Sequence, residues 1–291
     1  MSRIAYVNGR YLPHDAAGIS ILDRGFLFGD AVYEVCEVRG GRIVDEAPHV
    51  ARLARSLGEI GMSMPMSDAA LGRVMRETIR QNRVADGMVF LQVSRGTCAR
   101  ARGRDFYFPA EGTPPTLVCT ARATSRAAMA RRWASGITVK TVPDTRWGRC
   151  DIKTAMLLAA CLAKEEAAAD GAGEAWFVDA TGHVTEGASS NAWIVDREGR
   201  LVTRPAGSDI LRGTARMRLI DVLGREGLEL VERPFTVKEA QSAREAFITS
   251  ATAIVMPVVA IDGTAVGNGA PGGVAERLRA VFHDVAVTSP L

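Results

Sequence analysis

Lysine is scarce in this 291-residue chain: of 36 basic residues only Lys140, Lys153, Lys164 and Lys238 are lysines. Arginine therefore serves wherever a fixed positive charge suffices. Lysine differs because its amine can lose a proton and attack a carbonyl, whereas guanidinium stays charged. Cysteine is also sparse and poorly placed for bridging. Cys36, Cys98, Cys119, Cys150 and Cys161 are odd in number, widely spaced and without a C-x-x-C pair. That excludes a disulfide or thiolate-zinc framework and points to reduced thiols in a cytoplasmic protein. The four histidines are isolated, so no metal site is expected. No apolar run approaches the ~18–20 residues that span a bilayer, so no membrane partner is expected. The opening "MSRIAYVNGRYLPHD" lacks the apolar stretch of a signal peptide. A net charge of +3, with arginines scattered among acids except for "ARARGR" at 99–104, gives no case for nucleic acid.

What is present is an ordinary globular balance, 47% apolar and 24% charged, in a length that suits one large domain or two of common size. "IAYVNGRYL" places Asn8-Gly9 between alternating apolar residues, and "VYEVCEVRGGRIV" repeats the hairpin pattern at Gly40-Gly41. Val50, Leu53, Leu57 and Ile60 form a helical stripe over 48–61. Leu71, Val74, Met75 and Ile79 do the same over 67–83, with Ser67 as N-cap. Strands are expected at 88–94 and 116–121. Residues 122–135 lack a long apolar period, so we expect an N-terminal α+β domain over 1–121, a linker over 122–135 and a C-terminal α+β domain over 136–291. In the latter the pattern predicts a strand at 137–142, a helix over 153–169, several short strands, a helix near 212–226 and a last helix near 273–284. Thr236 and Glu239 have capping-box spacing. Hairpins and mixed strand order argue for α+β rather than a Rossmann fold. "GNGAPG" at 267–272 fits G-x-G-x-x-G only in letters, because it follows a polar turn, carries a proline and has no βαβ unit after it.

Three segments carry chemistry. Lys153 lies at the join of the polar "RWGRCD" and the apolar "TAMLLAA". Spacing alone allows a solvated lysine in a helix's first turn; the cations Arg146 and Arg149 nearby suit an amine with a lowered pKa, the nucleophile of Schiff-base chemistry. In "TEGASSN", 185–191, Glu186 is either a turn acid or the carboxylate that keeps a cofactor's ring nitrogen protonated. "DILRGTAR", 209–216, opens a helix whose first N–H groups suit an anion, and "ITSATA", 248–253, offers a second small-residue loop with hydroxyls.

Together "RCDIKTAMLLAACLAKEEA", "VTEGASSNAW", "LDRGFLFGDAVYEV" and "ILRGTAR" resemble the D-amino-acid aminotransferases, in the family's order and over about residues 3–285. These are fold-type IV pyridoxal 5′-phosphate enzymes, a group that also holds branched-chain aminotransferases and aminodeoxychorismate lyases. The resemblance implies a two-domain α+β subunit, a homodimer, and the cofactor at the domain interface. It implies transamination between a D-amino acid, such as D-alanine or D-glutamate, and a 2-oxo acid, such as 2-oxoglutarate or pyruvate. Branched-chain L-amino acids or (R)-amines are the alternative substrates, and lyase chemistry a further one.

By the same resemblance Lys153 holds the cofactor covalently and shuttles its proton, and Glu186 faces the pyridine nitrogen. Arg52, which lies off the Val50/Leu53/Leu57 stripe so that core packing does not demand it, holds the phosphate. The loops at Thr214–Ala215 and Ser250–Ala251 share that task. Arg146 approaches the ring hydroxyl, Leu211 packs on the ring face and Tyr33 lines the substrate side.

One segment departs from the family. Its members bind the substrate carboxylate through an Arg-x-His pair in roughly R-G-T-x-x-R-x-H-x-F-P, and this chain reads "RGTCARARGRDFYFP", 95–109. Aligned from the left, Arg100 takes the arginine position and Arg102 the histidine position. Aligned from the right, Arg104 and Phe106 take them, with four residues inserted. Sequence leaves both registers open, beside a third reading in which the run is a solvated cationic loop.

Overall fold

The computed structural model describes residues 3–97, 104–109 and 112–289. Two compact units divide the chain. The first is Met1–Ser125 with Ile152–Met156 and Val287–Leu291; the second is Arg126–Asp151 with Leu157–Ala286.

The first unit holds a six-stranded antiparallel sheet of β1 (Ile4–Val7), β2 (Arg10–Pro13), β3 (Ala31–Arg39), β4 (Arg42–Ile43), β5 (Gly87–Ser94) and β6 (Thr116–Ala123), in the order β2-β1-β6-β5-β3-β4. Asn8 and Gly9 both take positive φ, 45° and 90°, which gives the tight β1–β2 turn the twist its strands require. Helices α1 (Arg24–Phe28), α2 (Glu46–Glu59) and α3 (Asp68–Gln81) complete the unit. Ser67 caps α3 by accepting the Ala70 N–H. The core consists of Leu53 and Leu57 from α2, Leu71 and Met75 from α3, and Val32, Val89 and Leu91 from the sheet, all buried. Each such side chain contributes about 1.5–3 kcal/mol by leaving water.

Two later segments join this unit. At 152–156 the chain runs beside β3: the Tyr33 N–H donates to the Lys153 carbonyl (3.0 Å) and the Ala155 N–H to the Ala31 carbonyl (2.8 Å). Lys153 is therefore not in the first turn of a helix, as its apolar spacing suggested. Backbone groups around it are bonded to a strand about 120 residues earlier, and the helix begins only at Leu158. Gly29, at φ 67°, accommodates the approach, since a Cβ there would stand 2.7 Å from Met156 Cγ. At 287–289 the chain pairs with the end of β4, the Asp45 N–H donating to the Val287 carbonyl and the Ser289 N–H to the Ile43 carbonyl.

The second unit is built on a mixed sheet. Its strands are β7 (Ile137–Pro143), β8 (Glu174–Val178), β9 (Val184–Gly187), β10 (Asn191–Val195), β11 (Leu201–Thr203), β12 (Leu230–Glu232), β13 (Glu245–Ser250), β14 (Ile254–Ile261) and β15 (Thr264–Ala265). They run β12-β11-β10-β13-β14-β7-β8-β9, with β15 beside β14; the pairs β7–β8, β7–β14 and β11–β12 are parallel. Its helices are α4 (Arg126–Ser135), α5 (Leu158–Ala169), α6 (Thr214–Leu223), α7 (Val237–Gln241) and α8 (Gly273–Val285). Most of the stretch expected as linker is α4. That helix buries no residue fully and packs through Met129 and Trp133, whose Nε1 donates to the Ala253 carbonyl (3.0 Å), so its apolar pattern is short. The capping box is present at α7: Thr236 Oγ1 accepts the Glu239 N–H and Glu239 accepts the Thr236 N–H. Replacing Thr236 with alanine is expected to cost about 1 kcal/mol, measured as a lower denaturant midpoint with unchanged m-value. No helix among the described residues is long and apolar enough to cross a membrane.

Candidate active site

Within the first unit, β3 and α2 position the residues that sequence singled out. Lys153 is half-buried. Its N–H reaches Ser56 Oγ on α2 (3.3 Å), and its Nζ stands 4.2 Å from the Tyr33 ring centroid. Among the described residues no carboxylate lies within ion-pair distance of that amine. Lys140 and Lys164 differ, pairing with Asp170 and Glu174, and Lys238 is exposed on α7. Tyr33 leans on Phe90 across β3–β5, with ring centroids 5.7 Å apart.

Arg52 lies off the apolar stripe of α2, yet it is buried. The reason is electrostatic: Nε and Nη2 clamp the two oxygens of Glu34 on β3 at 2.7 and 2.8 Å, and His49 Nδ1 lies 2.7 Å from Oε2. Burial acts to raise the Glu34 pKa, but the Arg52 charge and the hydrogen bonds from Arg52 and His49 prevail and hold it at about 2. Burial likewise acts to lower the Arg52 pKa, and Glu34 reverses this.

In the second unit Glu186 lies at the end of β9, Arg146 follows β7, and Leu211 and Gly213 precede α6. Glu186 is buried, and its carboxylate is surrounded by donors. Arg146 Nη1 reaches Oε1 (2.5 Å), Asn191 Nδ2 reaches Oε2 (2.9 Å), and the Leu211 N–H lies 3.1 Å from both oxygens. Such a set stabilises the anion. Arg146 also clamps Asp144, with Nε to Oδ1 at 2.9 Å and Nη2 to Oδ2 at 2.7 Å, while its guanidinium lies over Phe177. Burial opposes both charges, and each pair nonetheless keeps its partner ionised: the Asp144 pKa is lowered by hydrogen bonds from Arg146 and Thr185, and that of Arg146 is raised.

Thr214 and Ala215 form the first turn of α6, whose N-cap, Gly213, contributes no side-chain cap. A Cβ on Gly213 would stand 2.2 Å from Asn191 Oδ1, so only glycine lets the helix start this close to β10. Asn191 pairs in register with Thr249, so Ser250 and Ala251 directly follow the residue opposite the Glu186 partner. Ser250 Oγ accepts the Ala253 N–H, and the loop closes on Ile254 at φ 57°. A β-branched residue in the left-handed region is strained by about 1–3 kcal/mol, and such strain collects at functional loops.

Arg100 and Arg102 lie outside the described residues. Arg104 is described and exposed, its guanidinium 5.0 Å from the Phe28 ring centroid and 5.4 Å from that of Phe106. Sequence reasoning passed over Glu34, Ser56, Asp144 and Asn191. Only Asn191, inside "TEGASSN", carried a local signal; the others act through partners distant in the chain or through an unremarkable turn.

Residues 31–261 match the pattern of the family described as amino-transferase class IV. The chain belongs to that family and is a pyridoxal 5′-phosphate-dependent aminotransferase of the fold-type IV, two-domain α+β class. It is 35% identical over 277 residues to the D-alanine aminotransferase of Bacillus licheniformis, covering 95% of both chains. It is 34% identical over 279 residues to that of Staphylococcus haemolyticus, covering 96% of both. Among solved structures, a branched-chain amino acid aminotransferase from T.th. with pyridoxamine 5′-phosphate superposes with TM-score 0.86 at 26% identity, over 98% of this chain and 94% of that one. The Escherichia coli branched-chain enzyme gives 0.87 at 23% identity, over 98% and 95%, which bears on the fold alone.

The residues fit the cofactor. In the first unit, an amine with no acid partner among the described residues is the group that an aldehyde calls for; in the second, a buried carboxylate surrounded by donors and a helix start with glycine at its N-cap are those that a ring nitrogen and a phosphate call for.

Proposed function

We propose that the enzyme transfers the amino group of a D-amino acid, such as D-alanine or D-glutamate, to a 2-oxo acid, such as 2-oxoglutarate or pyruvate. The observation that carries this reading is near-full-length similarity, at 34–35% identity, to two D-alanine aminotransferases. Pyridoxal 5′-phosphate supplies an electron sink for the carbanion formed at the substrate's Cα. In this reading Lys153 Nζ would hold the cofactor covalently and its amine would serve as carrier of the substrate's Cα proton. Glu186, kept anionic by its donors, keeps the ring nitrogen protonated. Arg146 approaches the ring hydroxyl and Leu211 packs against the ring. Arg52, Thr214, Ala215, Ser250 and Ala251 hold the phosphate, and Tyr33 lines the substrate side. The substrate carboxylate is taken by arginines of the 95–109 segment, Arg100 with Arg102 in one register and Arg104 in the other.

Incubation with D-alanine and 2-oxoglutarate is expected to give pyruvate and glutamate, with L-leucine and (R)-1-phenylethylamine much slower. Faster turnover of L-leucine would favour the branched-chain reading, which the 26%-identical solved structure supports. The proposal includes a cytoplasmic homodimer. Ile19, Ile21, Leu22 and Phe26 of the first unit, and Leu158 and Leu162 of α5 in the second, are exposed apolar side chains of the kind a partner subunit covers. Light scattering should report twice the 31.1 kDa subunit mass.

A further inference from the structure

Arg24 of "LDRGF" belongs to none of the roles above, yet it is buried and makes contacts that a core arginine does not need. Its backbone N–H donates to the Gly96 carbonyl at 3.0 Å. Its side chain reaches the other limb of the same segment: Nη1 donates to the carbonyls of Asp105 (2.8 Å) and Tyr107 (3.0 Å), and Nη2 to that of Phe106 (3.3 Å). Gly96 itself is fixed where the limbs meet, at φ 79°, and a Cβ there would stand 2.0 Å from the Pro114 carbonyl. Arg24 thus bonds both to Gly96 and to residues 105–107.

Its own aim is fixed from behind. Arg24 Nε donates to Asp30 Oδ2 (2.7 Å), and Arg95 donates to both oxygens of Asp30, at 2.8 and 3.0 Å, and to the Ile60 carbonyl at 2.7 Å. The Arg95 guanidinium lies 3.8 Å from the Phe108 ring centroid, which pins the end of the returning limb. Two guanidiniums on one half-buried carboxylate leave spare donors, and those of Arg24 go to the three successive carbonyls. Arg104 directly precedes the gripped residues, and no carboxylate pairs with it among the described residues. A planar fork with donors in several fixed directions suits this task, and a lysine ammonium does not reproduce it.

We propose that Arg24 is a positioning residue for substrate recognition: it sets the 104–109 limb, and with it Arg104, as the cation that meets the substrate carboxylate. This rests on the proposed register in which Arg104 binds the substrate carboxylate. The test is Arg24→Lys in the holoenzyme, which keeps a charge beside Asp30 but loses the fork. Chymotrypsin should cut at Phe106–Phe108 about tenfold faster, and KM for D-alanine should rise about tenfold while kcat stays within about threefold, the signature of lost binding without lost chemistry. The cofactor's visible spectrum should not change. Tyr107→Pro, at an exposed position, removes the N–H donated to Asp105 Oδ1 and should give the same KM rise with the Arg24 side chain itself unchanged. Unchanged cleavage in Arg24→Lys would overturn the proposal, as would faster cleavage with unchanged KM, a loss confined to kcat, or an unchanged KM in Tyr107→Pro. A wild-type enzyme inactive on D-amino acids would instead refute the function proposed above, and the cleavage assay would still report on Arg24.

Discussion

Lys153→Ala is expected to lose transamination by at least about 10²–10⁴-fold, the range that a positioned proton-transfer group supplies, and to lose covalent attachment of the cofactor as well. Of the four lysines, Lys140 and Lys164 are paired with acids and Lys238 is exposed on a helix. Lys153 alone combines partial burial, an aromatic face and no carboxylate within ion-pair distance among the described residues. A lysine paired with an acid must break that pair before it can attack a carbonyl, and Lys153 has no such pair among the described residues. Its carbonyl is bonded to β3 and its N–H to Ser56 on α2, so the side chain starts from a segment held against a strand instead of a fraying helix turn. Borohydride reduction of the wild-type holoenzyme followed by peptide mass analysis should find the cofactor adduct on Lys153 and on no other lysine. In Lys153→Ala no adduct should form, while the folded content by circular dichroism stays the same. An adduct on Lys140, Lys164 or Lys238 would remove Lys153 from the role.

How far the sequence reached depended on the range of the interaction. Asn8-Gly9, the Ser67 cap and the Thr236–Glu239 box are local, and each is present where the residues alone placed it. Glu186 was singled out by its company in "TEGASSN", and the residue that completes its surroundings, Asn191, is five positions away. The apolar spacing after Lys153 was misleading. Met156, Leu157, Ala160, Leu162 and Ala163 fit a helical pattern, but of these Met156, Leu157 and Leu162 are exposed in the subunit while Ala163 is buried, and the helix starts only after the chain has paired with β3. Arg52 shows the same limit: its place off the apolar stripe marks it as not demanded by packing, but nothing local points to Glu34 on a strand 18 residues earlier. Asp144 escaped notice because a turn aspartate two residues before an arginine is commonplace; only the folded chain shows Arg146 shared between it and Glu186.

Glu34→Gln is expected to be the most destabilising polar substitution in the first unit. Glu34 is almost fully buried, and both its oxygens are taken by Arg52, with His49 on Oε2. Removing its charge leaves the Arg52 guanidinium without its anion in a buried site, a change that costs about 3–5 kcal/mol in comparable pairs. The pH dependence follows from the lowered pKa. A carboxyl held at about 2 when folded, against 4.5 ordinarily, contributes its full stabilisation above pH 4.5. That contribution, roughly 3 kcal/mol at about 1.4 kcal/mol per pH unit, is lost as the pH falls from 4.5 towards 2. Urea midpoints of the wild type should therefore drop across that window, and those of Glu34→Gln should start lower and fall less. Since Arg52 is the proposed phosphate ligand, the variant should also bind pyridoxal 5′-phosphate more weakly at neutral pH, as read by titrating the apoprotein. A variant with wild-type stability and the wild-type acid slope would show that the buried pair is not what anchors Arg52.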